Sequence, residues 1–371
     1  MAGPFSLQTV IADVNYSPPF GCRDSPCVVP GLPASFPVLE WEQSRADGEG
    51  AMRSWAFQTG FEDRLLQSLR RDYRVLAPVR GADGVGRLQP VRSWAELSPG
   101  VLPLIPLKKV VFPPHDVLWT LMGNEYREPV PSSVPVALVG IAPCDLYALA
   151  YLDLVFADDP HYQRRRQGLL LVGSSCRPTP ECFCPPRRAP PPFDLFLAAD
   201  RLWVGSASGE CLLTTLQAEL AAPGDLPLPA EITDGQQQVP ENLEQLFGVS
   251  AGMPLWREVG QRCVSCGACS AVCPTCYCYE MRDEALPDGR VARWREWDNC
   301  FFRNHALVAG GQNFRPTRTE RLRFRFEHKM LGFGALRGIS SCVGCGRCAR
   351  ACPVDIDISA VLAALAGGGK P

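Results

Sequence analysis

A chain of 371 residues, 46% hydrophobic and 20% charged, has the make-up of a globular protein of two or three domains, long enough to bury a core without staples. Its net charge of −2 makes no field that would attract nucleic acid or a membrane surface, so neither is expected as a partner. Eighteen cysteines in tight C-x-x-C and C-x-C clusters exclude the small disulfide-stapled class and read as metal ligands in a reducing cytosol. The opening MAGPFSLQTVIADVNYSPPF has neither a basic start nor an unbroken apolar core, so no secretion signal is expected. The most apolar window, 138–157, contains Pro143, Asp145 and Asp153, which argues against a membrane span. The chain reads as soluble and cytoplasmic.

In chain order, residues 1–54 lack a sustained period and are expected to be poorly structured; Cys22 and Cys27 lie there. Residues 55–222 read as an α/β domain. FEDRLLQSLRR (61–71) has helical spacing, with Phe61, Leu65 and Leu69 on one face and Leu66 beside it. YRVLAPV (73–79), VPVALVGI (134–141), GLLLVGS (168–174) and the pair FDLFLAA (193–199) and RLWVGS (201–206) read as strands, with DLYALAYLDLVF (145–156) as an intervening helix. This order suggests a partly parallel sheet. Cys144 and Cys176 follow two of the strands, where open α/β sheets gather ligands; small buried side chains are the competing reading. Residues 223–242 are polar and Pro-rich, as in a linker.

The segment 243–371 carries the chemistry. Cys263-x2-Cys266-x2-Cys269-x3-Cys273-Pro274 and Cys342-x2-Cys345-x2-Cys348-x3-Cys352-Pro353 repeat the bacterial ferredoxin spacing. Zinc sites use two separated pairs instead. Three cysteines at three-residue steps wrap one cubic cluster, and glycines at 267, 344 and 346 let the backbone approach it. The fourth cysteine reaches the other cluster. One [4Fe-4S] cluster is therefore expected on Cys263, Cys266, Cys269 and Cys352, and another on Cys342, Cys345, Cys348 and Cys273. The expected fold is an α/β N-terminal domain plus a C-terminal ferredoxin-like (α+β) domain with two [4Fe-4S] clusters and a long insert, 274–341.

Ten cysteines lie outside the two motifs, and six of them are candidate ligands of a further centre. In a strand, i and i+2 share a face, so Cys276 and Cys278 can serve one centre, and Cys182 and Cys184 form a second such pair. These four suggest a third iron–sulfur cluster, with Cys176 and Cys300 as competing ligands; buried or redox-active thiols are the alternative. RPTRTERLRFRFEHK (315–329) alternates Arg with Leu or Phe from Arg321 to Phe326, as a strand with one basic face would. The favoured reading is a positive wall beside the clusters or against an acidic partner; a solvated strand face and, last, nucleic-acid binding are the alternatives. There is no P-loop, no dinucleotide fingerprint, no histidine ligand pair and no nucleophile–base pair. The chain carries wiring and no evident catalytic residue.

GIAPCD (140–145), the CFC at 182–184, CVSCGACSAVCPTCYC, the WDNC ending at Cys300, NFRP (313–316), the HK at 328–329 and CVGCGRCARACPVDID (342–357) together carry a family resemblance. The chain resembles the iron–sulfur beta subunit of cytoplasmic nickel–iron sulfhydrogenases and the related iron–sulfur subunit of anaerobic sulfite reductase. Ala142 departs from the pattern, which has arginine before Pro-Cys-Asp. The resemblance implies an electron-transfer role, with a flavoprotein (FAD, NAD(P)H) subunit on one side and a hydrogenase or sulfite reductase catalytic subunit on the other. An enzyme with its own third site near Cys144, Cys176 and the C-x-C pairs is the alternative.

Overall fold

The computed structural model describes residues 51–129, 134–176, 178–185, 190–216, 220–229, 240 and 242–367. Twelve strands run through them in chain order: β1 Ala51–Ala56, β2 Arg74–Arg80, β3 Gly86–Pro90, β4 His115–Met122, β5 Glu125–Arg127, β6 Val136–Ile141, β7 Leu169–Ser174, β8 Leu195–Ala198, β9 Arg201–Val204, β10 Gly224–Pro227, β11 Tyr279–Ala285 and β12 Val291–Trp297. Eight form one sheet in the order β10-β1-β9-β8-β7-β6-β2-β3. Its centre, β2-β6-β7-β8, is parallel, and β9 returns antiparallel to β8.

The central strands are apolar without a break because both faces are covered. Ala137, Val139, Leu170 and Val172 face one way, against Phe61, Leu65, Leu66 and Leu69 of the helix Phe61–Asp72. Leu138, Ile141, Leu171 and Phe196 face the other, against Leu146, Leu149 and Leu152 of the helix Pro143–Val155. That helix starts where it does because Pro143 sits in its first turn, where a missing N–H costs nothing. Just before it the β6–β7 register slips between Val139 and Ile141, at Gly140 with φ +73°. The bulge turns the end of β6 and re-aims the Pro-Cys-Asp that follows.

The structure departs from the sequence reading at four places. Residues 51–54 belong to β1, which pairs with β9 and β10 and buries Met52 and Ser54; residues 1–50, with Cys22 and Cys27, lie outside the described residues. Within the expected linker 223–242, Gly224–Pro227 closes the sheet edge as β10, held in part by Ser54 Oγ donating to Gly224 O at 3.0 Å; residues 230–239 and 241 lie outside the described residues. The insert 274–341 supplies β11 and β12, which join β4 and β5 in a second sheet ordered β11-β12-β4-β5. Arg295 of β12 and Asp116 of β4 lock it with a buried ion pair at 3.0 Å.

The fourth departure is the basic stretch, which is the helix Arg318–Leu331. A capping box starts it: Thr317 accepts from the Glu320 N–H, and the Glu320 carboxylate accepts from the Thr317 N–H. Arg321, Arg325 and Lys329, four residues apart, share one buried stripe beside Leu322 and Phe326. Among the described residues no helix is long and apolar enough to cross a membrane.

Candidate metal centre

The two cysteine motifs fold alike. The helix Pro254–Arg262 delivers Cys263, whose N–H still donates to Val259 O. Gly267 (φ +77°) then starts the short helix Ala268–Ala271, and Gly346 (φ +67°) starts the matching Arg347–Arg350. Two positions earlier in each loop is Ser265 (φ +53°) in the first motif and Gly344 (φ +67°) in the second. Gly344 is needed for more than its φ. A Cβ there would lie 2.4 Å from Phe183 O, and one on Gly346 2.6 Å from Glu181 O. The loop carrying the CFC segment packs onto the second motif through these two glycines, and Phe183 N–H donates to Gly344 O at 2.8 Å. Gly344→Ala is expected to cost at least ~1–2 kcal/mol from the left-handed backbone alone. It should also loosen the 178–185 loop, seen as faster proteolysis there; an unchanged cleavage pattern would contradict the packing.

Two hollows open beside these loops. The first is lined by Cys263, Cys266, Cys269, Cys348 and Cys352, and by the apolar Phe301, Leu322, Phe326 and Ile356. The second is lined by Cys273, Cys342, Cys345 and Cys348, with Phe183 and Lys329. Among the described residues, neither wall holds a His, Asp or Glu side chain. Nor do any three such side chains or cysteines close on one point as a single-ion site would. The cysteines ring spaces wider than one ion, and an all-thiolate donor set of that kind suits an iron–sulfur cluster. Backbone N–H groups already aim at sulfur: Ser265 N–H at Cys263 Sγ (3.4 Å) and Ile356 N–H at Cys352 Sγ (3.3 Å). Such bonds tune a cluster's potential.

Buried cations supply the charge balance. Arg325 borders both hollows; its Nη1 donates to Cys276 Sγ at 3.6 Å and its Nη2 to Cys269 O at 3.0 Å. Lys329 Nζ donates to Thr275 Oγ1 (2.8 Å) and Ser341 O (3.3 Å), and Lys108 Nζ to Cys276 O (2.9 Å). Burial opposes the charge on Lys329, but the neighbouring Cys273 and Cys276 thiolates more than offset it and raise the pKa. For Lys108 burial wins and brings it down to about 8. Burial also pushes the Cys269 and Cys342 thiols up to about 11, so bound metal, which takes thiolate, must overcome that preference. Arg325→Gln is expected to lower the reduction potential of both clusters, since each would lose a nearby positive charge. A redox titration followed by electron paramagnetic resonance reads this; a shift confined to one cluster would show that the guanidinium is not shared.

The surplus cysteines group differently from the pairing expected above. Cys276 shares a hydrogen bond with Cys273, and Cys278 with Cys300. Cys182 and Cys184, both free thiols, act most strongly on each other, and the thiols acting on Cys184 beyond that are Cys144 and Cys176. Two residues, Lys108 and Arg347, escaped the sequence reading. Lys108 belongs to no motif. Arg325 was not one of them: it belongs to the stretch read as a positive wall, and it borders both hollows from a helix and not from a strand. Arg347, fully buried, grips Asp145 with both Nη atoms at 2.8 and 2.6 Å.

A chain with this C-terminal half is an iron–sulfur protein of the dicluster class: a family model described as a 4Fe-4S dicluster domain matches residues 262–356. The chain is also 33% identical over 330 residues, 84% of its length, to "Sulfhydrogenase 2 subunit beta" of Pyrococcus furiosus, covering 98% of that protein. It belongs to the family of sulfhydrogenase beta subunits. No solved structure matches it.

Proposed function

We propose that the chain is the electron-transfer subunit of a multi-subunit oxidoreductase, passing single electrons through two [4Fe-4S] clusters. One would be held by Cys263, Cys266, Cys269 and Cys352, the other by Cys342, Cys345, Cys348 and Cys273. The observation that carries this reading is the pair of adjacent cysteine-lined hollows with Cys348 and Arg325 common to their walls. The clusters supply one-electron chemistry. The chain's own part is to hold them side by side, shield them with apolar side chains and balance their charge with Arg325 and Lys329. One end of the relay would meet a flavoprotein subunit handling NAD(P)H. The other end would meet the nickel–iron catalytic subunit of a hydrogenase, in line with the family resemblance.

Anaerobic purification of the full chain, followed by dithionite reduction, should give two magnetically interacting paramagnetic clusters. A chain that holds no cluster under those conditions would refute the proposal. The partner that co-purifies tests the second half: a nickel–iron subunit supports it, and a sirohaem subunit would move the chain to sulfite reduction.

A further inference from the structure

The geometry points to a third iron–sulfur cluster site, formed by Cys144, Cys176, Cys182 and Cys184 where the carboxyl ends of β6 and β7 meet the second cysteine motif. The inference rests on the relay reading and adds a centre to it. Three separate segments bring these residues together. Cys144 lies in the first turn of the helix after β6, and Cys176 lies two residues beyond β7. Cys182 and Cys184 come from the loop that packs on Gly344 and Gly346. The Cys182 and Cys184 thiols share a hydrogen bond, and Cys144 and Cys176 are close enough for their charge to act on Cys184. Cys144 and Cys176 also pack in one cluster with Cys345, Val343 and Ala142.

A lone buried cysteine is an ordinary small apolar residue. Four from three segments, at the strand ends where open α/β sheets bind ligands, make a donor set. The loop is braced around its sulfurs: Thr179 N–H donates to Cys182 Sγ at 3.3 Å, and the Thr179 hydroxyl lies 3.4 Å from the same sulfur. The four do not converge on one point, and in this they match the two hollows. Zinc would draw all four sulfurs around a single ion. In a cubane each cysteine takes a different iron, so four thiols from three segments can be shared among its metal ions.

The site adjoins the second hollow. Cys182 Sγ lies 3.7 Å from Cys345 O, and Phe183, between the two cysteines, lines that hollow. Arg347 is close enough to Cys144 and Cys345 for both to act on it. A centre here would extend the wire from the second cluster into the α/β half. One electron would leave the second cluster and enter the third, with no atom or proton moved. Of the other surplus cysteines among the described residues, Cys276, Cys278 and Cys300 lean on Cys273 and on one another, and Cys211 lies apart in the helix Ala207–Thr214.

Iron analysis of the anaerobically purified full chain tests this. Three cubanes require about twelve irons per chain and two require about eight. We expect about twelve in the wild type. Cys184→Ser and Cys144→Ser should each hold about eight, with the interacting signal of the two remaining clusters retained, and Cys278→Ser should still hold about twelve. About eight irons in the wild type, with or without one zinc per chain, would overturn the third site and leave the two-cluster relay standing. Loss of the third set of irons in Cys278→Ser but not in Cys184→Ser would overturn it as well. The wild-type count decides even if a variant fails to fold. An iron-free chain would refute the relay reading itself.

Discussion

Cys352→Ala is expected to remove the same cluster as Cys269→Ala, although the two residues lie 83 positions apart in the sequence. Both line the first hollow, with Cys263 and Cys266, whereas Cys273 lines the second with Cys342 and Cys345. Each variant should lose or convert one [4Fe-4S] cluster, a fall of up to about four irons per chain, and keep the other. The surviving cluster should then give an isolated signal, without the splitting that a paramagnetic neighbour causes. Electron paramagnetic resonance on the two reduced variants settles the comparison. If Cys352→Ala instead spares the cluster that Cys269→Ala removes, the exchange of fourth ligands is wrong. Cys273→Ala makes the reciprocal case and should damage the other cluster.

Arg347→Met should destabilise the chain by about 3–5 kcal/mol, the usual cost of stripping one partner from a buried ion pair. The side chain is 1% exposed and makes three bonds: two to the Asp145 carboxylate and one from Nε to Pro103 O at 2.8 Å. Methionine fills much of the volume but leaves Asp145, itself 1% exposed, as an uncompensated carboxylate. Denaturant unfolding measures the loss. Asp145→Asn added to Arg347→Met should restore part of it, because the stranded charge is then gone. A single variant as stable as the wild type would mean that water reaches this pair in solution. The pair also joins the helix after β6 to the second cysteine motif, so the single variant should loosen the second cluster.

Much of this was readable in the sequence, for physical reasons. The cysteine spacing is local chemistry, and it alone indicates iron–sulfur clusters. The runs that became β6 and β7 are apolar throughout, as strands covered on both faces must be. Other features were not local. Arg321 to Phe326 alternates charged and apolar residues and so mimics a strand. What decides in favour of helix is the Thr317–Glu320 capping box and the four-residue step from Arg321 to Arg325 to Lys329, three charged side chains that the fold turns inward. The Cys182–Cys184 pair has the spacing of Cys276–Cys278, and spacing cannot tell which thiols meet across a fold. The pairing of β4 with β12 joins residues more than 160 positions apart and leaves no mark in either segment.

That pairing has a consequence for how the chain can be divided. β12 bonds to β11 on one side and to β4 on the other. Cutting the chain before residue 243 would keep every ferredoxin cysteine yet strip β12 of its inner neighbour and Arg295 of Asp116. The exposed ladder would be a ready template for another chain's strand, and a buried guanidinium would have lost both of its counter-ions, Asp116 and Asp159. The cluster-bearing half is therefore not a portable cassette. An ancestor that acquired a ferredoxin module here could not later shed or exchange it without also rebuilding residues 115–127.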